Sequence, residues 1–218
     1  MQPETEQFVS QNQQHASAQS STRHGLLFVL SAPSGTGKDT VIHALKQQGM
    51  NFYVVPSFTT RSPRPGESEG NPYQFVSQEI FERMVSQGEL LEYANVHGNW
   101  YGQPRKPIRE NLSSGRDVLL KIDVKGAATI KKKVPNAIFI FLIPSSLEEL
   151  SHRLTDRQTE TEEELQRRLA DARKELAEQH WYDYLVTNRD GHLPEAVDCL
   201  RAIMLAEHCR VQVRHINI

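Results

Sequence analysis

The run Ala32-Pro33-Ser34-Gly35-Thr36-Gly37-Lys38-Asp39-Thr40 concentrates groups suited to holding phosphate. Its glycines let backbone N–H groups turn inward, a helix start beyond them adds positive potential, and Lys38 brings a mobile full charge. The run departs twice from the phosphate-loop pattern G-x-x-x-x-G-K-[ST]: Ala32 stands at the first glycine, and Asp39 at the hydroxyl that would meet magnesium. Gly35, Gly37 and Lys38 are kept. The apolar residues 26–31 precede the loop, and the helical pattern Val41-Ile42-His43-Ala44-Leu45 follows it. Gly-rich turns of this kind also occur without phosphate, but the strand-loop-helix context favours a nucleotide phosphate site.

Four further groups of residues suit phosphate chemistry. Arg61 and Arg64 stand three apart in Ser57-Phe58-Thr59-Thr60-Arg61-Ser62-Pro63-Arg64-Pro65-Gly66-Glu67, where proline stiffens the loop. Two guanidinium forks so placed suit a second anion such as a monophosphate, although the spacing alone also fits a solvated basic turn. Glu92, at a strand start and near Tyr101 in the expected hairpin, could accept hydrogens from guanine N1 and N2, although a lone Glu is more often a surface charge. Asp123 falls at the carboxyl end of an expected parallel strand, where open α/β sheets bind ligands and where helix caps also occur. Arg153, Arg157, Arg167 and Arg168 surround a charged loop that could close over a phosphoryl group. Their alternative partners are Glu162, Glu163 and Glu164, about one helical turn before Arg167 and Arg168.

The elements that must position these residues alternate strand and helix. Helices are expected over residues 38–48, 77–87, 105–112, 147–154, 161–179 and 194–211, with a Lys-rich helix between residues 123 and 137. Ser77 and either Ser145 or Ser146 supply caps. Strands are expected at 52–55, 73–76, 118–123, 137–143 and 184–186, with a hairpin of 90–96 and 100–101 around residues 97–99. Near-continuous apolar strands imply a parallel sheet between helices, and the hairpin region has the character of an insert.

Bulk properties bound the reading. A chain of 218 residues can bury a sizeable core, and its formal charge of −2 gives no bulk attraction to nucleic acid or acidic membranes. Cys199 and Cys209 lie ten residues apart on one expected helix, too far for a disulfide, and read as reduced thiols of a cytoplasmic protein. No apolar stretch approaches the roughly 20 residues of a membrane span. Residues 1–23 are Gln/Ser-rich and read as a disordered tail.

The segments SAPSGTGK, SFTTRSPRPGE, LLEYANVHGNWYG, KIDVKGA and RLTDRQTETEEELQRR, with Tyr73, resemble the guanylate kinase family over about residues 24–210. The resemblance implies an α/β fold with a P-loop NTPase-type parallel sheet flanked by helices, an inserted GMP-binding region and a helical lid. On that pattern residues 24–56, 105–150 and 169–213 form the core, 57–104 the insert and 151–168 the lid, with tails at 1–23 and 214–218. The implied reaction moves the γ-phosphoryl group of ATP to GMP with magnesium, as in GMP recycling, and dGMP is a further expected acceptor. No nucleic acid or membrane partner is implied, and the chain would be a monomer or homodimer.

Position by position, Lys38, Arg157 and Arg168 match the family's catalytic cations. Residues 32–40 match its ATP loop, and Asn188 a position beside the adenine. Arg61, Arg64, Tyr73 and Tyr101 match phosphate contacts, Ser57 and Glu92 guanine contacts, and Glu67, Gln103 and Asp123 complete the expected GMP site. Asp39 and Asp123 are the expected magnesium ligands. Three residues depart from the pattern: Asp39 and Gln103 each replace a Ser or Thr, and Lys121 replaces an acidic residue. Gln103 keeps an amide able to donate and accept. Lys121 and Asp123, two apart on a strand, are expected to share a face and could form an ion pair.

Two rival readings remain at this point. A non-catalytic guanylate-kinase-like binding module typically lacks the phosphate loop and lid arginines that this chain keeps. A kinase resembling the ribose-bisphosphate phosphokinases would share Gly-Lys-Asp, but would lack the paired arginines followed by an acidic guanine reader. The motif yields a first test. Lys38→Ala should lower kcat on the order of a hundredfold or more while GMP affinity stays near the parent value, measured by coupled ADP release and by calorimetry. Near-normal turnover would overturn the phosphate-loop assignment.

Overall fold

A five-residue strand with both faces buried anchors the architecture. β1 (Leu27–Ser31) sends Leu27 and Val29 into one core and Phe28 and Leu30 into another, as strand alternation requires. The computed structural model describes residues 24–218 apart from 65, 71, 97 and 156–161. The expected N-terminal tail, Arg157 and the residue at the expected hairpin tip, His97, therefore lie outside the described residues.

Strands β2 (Phe52–Val54), β8 (Asp117–Lys121), β9 (Ile138–Ile143) and β10 (Tyr184–Thr187) join β1 in a parallel sheet of order β10-β9-β1-β8-β2. One face packs Phe28, Leu30 and Ile140 against Val41 and Leu45 of α1 (Lys38–Gln47) and Leu200 and Met204 of α7 (Leu193–Glu207). The other packs Val29, Leu120 and Phe139 against Ile108 of α3 (Arg105–Ser113) and Ile130 of α4 (Val124–Lys133). The expected parallel sheet flanked by helices is present.

A second, mixed sheet holds β3 (Ser57–Thr59), β4 (Ser68–Glu69), β5 (Pro72–Phe75), β6 (Leu90–Val96) and β7 (Asn99–Pro104), in the order β4-β5-β3-β7-β6. The expected β6–β7 hairpin is there, but it pairs onward: β3 lies antiparallel to β7 and parallel to β5. Its small core, Phe81, Met84 and Leu90, comes mainly from α2 (Gln78–Ser86), which Ser77 caps by accepting from Ile80 N at 3.3 Å. Helices α5 (Leu147–Thr155) and α6 (Glu162–Ala177) share a fourth cluster of Leu150, Leu154 and Ala172. Ser146 is the cap of α5, accepting from Glu149 N at 3.1 Å.

Two helix ends fall short of their expected positions. α6 gives way at Glu178–Trp181 to a 3₁₀ turn, where Trp181 and Tyr182 stack on each other, Tyr182 stacks on Phe141 and Trp181 meets Phe139 edge-on. α7 stops at Glu207, whose buried carboxylate is held by Arg214 and Tyr184 from outside the helix. Residues 214–218 are drawn onto the sheet, with Ile216 and Ile218 against the second core and Arg109 donating to Ile218 O at 3.0 Å. Among the described residues no helix is long and apolar enough to cross a membrane.

Gly25 enters β1 so close to its neighbour that a Cβ would sit 2.0 Å from the Arg116 carbonyl oxygen. Backbone cannot yield as a side-chain end can, so Gly25→Ala should cost about 3 kcal/mol and lower the melting temperature by roughly 6–12 °C in calorimetry. An unchanged melting temperature would show that the β1–β8 edge can open without loss.

Candidate active site

The loop between β1 and α1 turns through two positive-φ glycines, Gly35 (φ 89°) and Gly37 (φ 93°). Both are also sterically required: a Cβ on Gly35 would meet Leu154 Cδ2 at 2.7 Å, and one on Gly37 would meet Asn188 Nδ2 at 2.7 Å. Thr36 closes the turn by donating its hydroxyl to Pro33 O at 2.8 Å. Its own carbonyl accepts from Asn188 Nδ2 (2.7 Å) and from Arg153 Nη1 (3.1 Å). Arg153 also donates to Asn188 O at 3.0 Å and pairs with Glu149. Arg153, expected among the closing cations, thus braces the loop from behind, and Asn188 does so from the end of β10.

Lys38 reaches back over the loop and donates to Ala32 O at 2.7 Å. Burial draws its ammonium down to about 8, against the opposing pull of Glu175, Asp39 and Asp123. Arg168, on α6, donates to Ser34 Oγ at 2.7 Å and so brings a second cation onto the loop. Glu175 stands seven residues after Arg168 on the same helix face. That spacing is present in the sequence, but a Glu on so acidic a helix reads as part of a solvated face. Arg167 and Thr40 are exposed.

The mixed sheet assembles the other half. In register, Glu92 of β6 faces Gln103 of β7, and Gln103 Nε2 donates to Ser57 Oγ of β3 at 2.6 Å. The three side chains form a row across adjacent strands, all buried. A register irregularity between Leu90 and Glu92 lets Leu90 enter the small core and Leu91 the large one while Glu92 joins the row. The Gln103 carbonyl oxygen is buried without a hydrogen-bond partner among the described residues.

Burial, reinforced by Asp123, pushes the Glu92 carboxyl up to about 8. Gly126 allows that approach: a Cβ there would lie 2.9 Å from Glu92 Oε1 and 3.1 Å from Asp123 Oδ1. Asp123 caps α4, accepting from Gly126 N at 2.7 Å.

Beside this row, Arg61 forks onto Glu67, with Nη1–Oε2 at 3.0 Å and Nη2–Oε1 at 2.9 Å, and its Nε donates to Tyr101 OH at 3.2 Å. The Arg61 fork holds the Glu67 carboxyl below its usual range. Glu67 also accepts from Arg64 N at 2.8 Å, so it organises the loop carrying both arginines. Arg64 itself is exposed. Tyr73 lies edge-on to Tyr101, ring centroids 5.7 Å apart, with the Arg61 guanidinium 5.4 Å from its own centroid.

The expected Lys121–Asp123 ion pair is not formed. β8 ends at Lys121, so Asp123 turns away as a helix cap, and Lys121 Nζ donates to Asp39 Oδ1 at 2.5 Å. Strand alternation does not extend past the strand's last residue.

A guanylate kinase family profile matches residues 24–207. The chain belongs to the guanylate kinase family. It is 46% identical over 189 residues to a guanylate kinase of Desulfitobacterium hafniense, covering 87% of this chain and 94% of that one. It is 47% identical over 189 residues to one of Lactobacillus acidophilus, covering 86% and 92%. A crystal structure of guanylate kinase from Anaplasma phagocytophilum matches with TM-score 0.72 and 35% identity, over 87% of this chain and 89% of that one.

Glu92 has a consequence that stability can report. The folded protein keeps a proton on Glu92 up to about pH 8, whereas the unfolded chain releases it near 4.5. Its contribution therefore falls as pH rises through that window, by at most about 1.4 kcal/mol per pH unit. Glu92→Gln should melt like the parent near pH 5 and higher than the parent near pH 9. Equal melting curves at both pH values would mean that Glu92 carries no such burden.

Proposed function

We propose that this member of the guanylate kinase family transfers the γ-phosphoryl group of ATP to GMP, giving ADP and GDP, with donor and acceptor held by different sheets. The donor lies on the loop 32–40 and the acceptor on the mixed sheet. The observation that carries the acceptor assignment is the buried row Ser57–Gln103–Glu92. Glu92 accepts guanine N1–H and N2–H once its buried carboxyl gives up its proton to the arriving base's surroundings, and Gln103 presents a buried acceptor without a partner among the described residues. An acceptor so placed favours a base with donors at positions 1 and 2, which guanine has and adenine lacks.

Arg61, Arg64, Tyr73 and Tyr101 hold the acceptor phosphate, with Glu67 orienting Arg61. Lys38 leaves the Ala32 carbonyl for the donor phosphates and neutralises charge on the transferring group, aided by Arg168 and by Arg157, which lies outside the described residues. Asn188 serves the donor side through the loop carbonyl it holds.

Among the described residues no group of three or more His, Cys, Asp or Glu could cage a metal. That fits magnesium held largely through substrate phosphates, with Asp39 and Asp123 as the carboxylates at hand. When bound, the ion would neutralise phosphate charge. The reading includes a cytoplasmic location, supported by two free, exposed cysteines. The phosphate loop and its braces favour this reading over a non-catalytic binding module.

The test separates base from phosphate recognition. Arg61→Ala and Arg64→Ala should weaken every 5′-monophosphate, leaving the GMP/AMP ratio of kcat/KM unchanged. Glu92→Gln should lower that ratio on the order of a hundredfold or more, because the amide cannot accept both guanine hydrogens. An unchanged ratio in Glu92→Gln would place guanine recognition elsewhere.

A further inference from the structure

Lys121 ends β8 in register with Leu30 of β1, beside the root of the phosphate loop. Its side chain is 12% exposed, and its ammonium reaches two partners on opposite sides of the site. On the donor side it meets Asp39, in the first turn of α1. On the acceptor side it stands 5.3 Å from the Tyr73 ring centroid, the ring whose surroundings also include the Arg61 guanidinium at 5.4 Å. One tyrosine of the acceptor site is thus flanked by two cations, one from the mixed sheet and one from the parallel sheet.

Both members of the Lys121–Asp39 pair depart from the family pattern, and they do so with complementary charges. Where the pattern has a hydroxyl this chain has a carboxylate, and where it has an acid this chain has an ammonium. The pair is nevertheless a poor structural brace. Asp39 is 79% exposed, and an ion pair with one partner in water holds little. Lys121 also lies close enough to Lys38 to oppose its charge. An anion entering between Tyr73 and the loop would relieve that opposition and offer Lys121 a stronger partner than a solvated carboxylate.

We infer that Lys121 is a ligand of the acceptor nucleotide's phosphate in this chain. Its Nζ exchanges Asp39 for a non-bridging oxygen of the GMP phosphate, opposite Arg61, and holds that phosphate toward the donor loop. Asp39 is the competitor that keeps Lys121 in place until the nucleotide arrives. This rests on the reading of the mixed sheet as the GMP site.

The assignment predicts opposite signs for the two partners. Binding of GMP and of guanosine, which lacks the phosphate, is measured by calorimetry without ATP or metal. Lys121→Met should weaken GMP about tenfold or more and leave guanosine unchanged, with Lys121→Arg restoring most of the loss. Asp39→Asn should tighten GMP several-fold, since it removes the competitor. Should Lys121→Met fold poorly, shown by its melting temperature without nucleotide, the sign of the Asp39→Asn effect decides alone. Parental GMP affinity in Lys121→Met, equal losses for GMP and guanosine, or weaker GMP binding in Asp39→Asn would each overturn the inference. Glu92→Gln serves as the separate control: if it leaves guanosine binding intact, the base-site reading has failed, whereas a guanosine loss there beside an unaffected Lys121→Met would sink only the role of Lys121.

Discussion

Like charges must be kept together, and that constraint shapes everything around the phosphate loop. Lys38, Lys121 and Arg168 converge on it, while Arg61 stands across the Tyr73 ring. Two unit cations 4 Å apart repel by on the order of 4 kcal/mol at protein-surface dielectric. The chain answers by giving each an internal acceptor: the Ala32 carbonyl for Lys38, Asp39 for Lys121, the Ser34 hydroxyl for Arg168 and Glu67 for Arg61. Three of these acceptors are neutral or solvated, and so are weaker partners for a cation than phosphate oxygens. On the proposed reading, ligand binding would be an exchange of these partners for phosphate oxygens.

The division of labour between two sheets follows from their chemistry. The parallel sheet is apolar on both faces and gathers the loop, Lys121 and Asp123 at its carboxyl ends. The mixed sheet can place a row of buried polar residues across adjacent strands, because antiparallel register sets Glu92 directly beside Gln103. A base needs several aligned partners and a triphosphate needs backbone N–H groups, so each ligand suits one architecture. Gly126 lies where the two meet, its missing side chain leaving room for carboxylates from both.

Much of this was legible in the residues. β1, its loop and α1 announce themselves through an apolar run, paired glycines and a 3.6-residue pattern, and the structure keeps all three. The mixed sheet was only half legible. β3 and β4 are three and two residues long, too short to show alternation, and exist because β5 and β7 supply their hydrogen bonds. Partner choice was the least legible. Lys121 pairs with Asp39 across 82 positions rather than with Asp123 two away, and Arg153 serves a carbonyl 117 positions distant. Such contacts depend on where strands end, which spacing alone does not fix. Glu175 was hidden for a different reason: a carboxylate on a helix rich in acidic residues looks like a solvated face until the helix is docked.

Asn188 ties the loop to one margin of the sheet. It follows β10, an edge strand with β9 as its only neighbour among the described residues, and holds the Thr36 carbonyl from there. Edge strands open by local fluctuations well below the free energy of global unfolding. Fraying of β10 would therefore release the loop's rear support while both cores remain folded. On the proposed assignment of the loop to the donor nucleotide, its affinity would be a property of the sheet margin, coupled to amide exchange along residues 184–188 more closely than to the melting of the molecule.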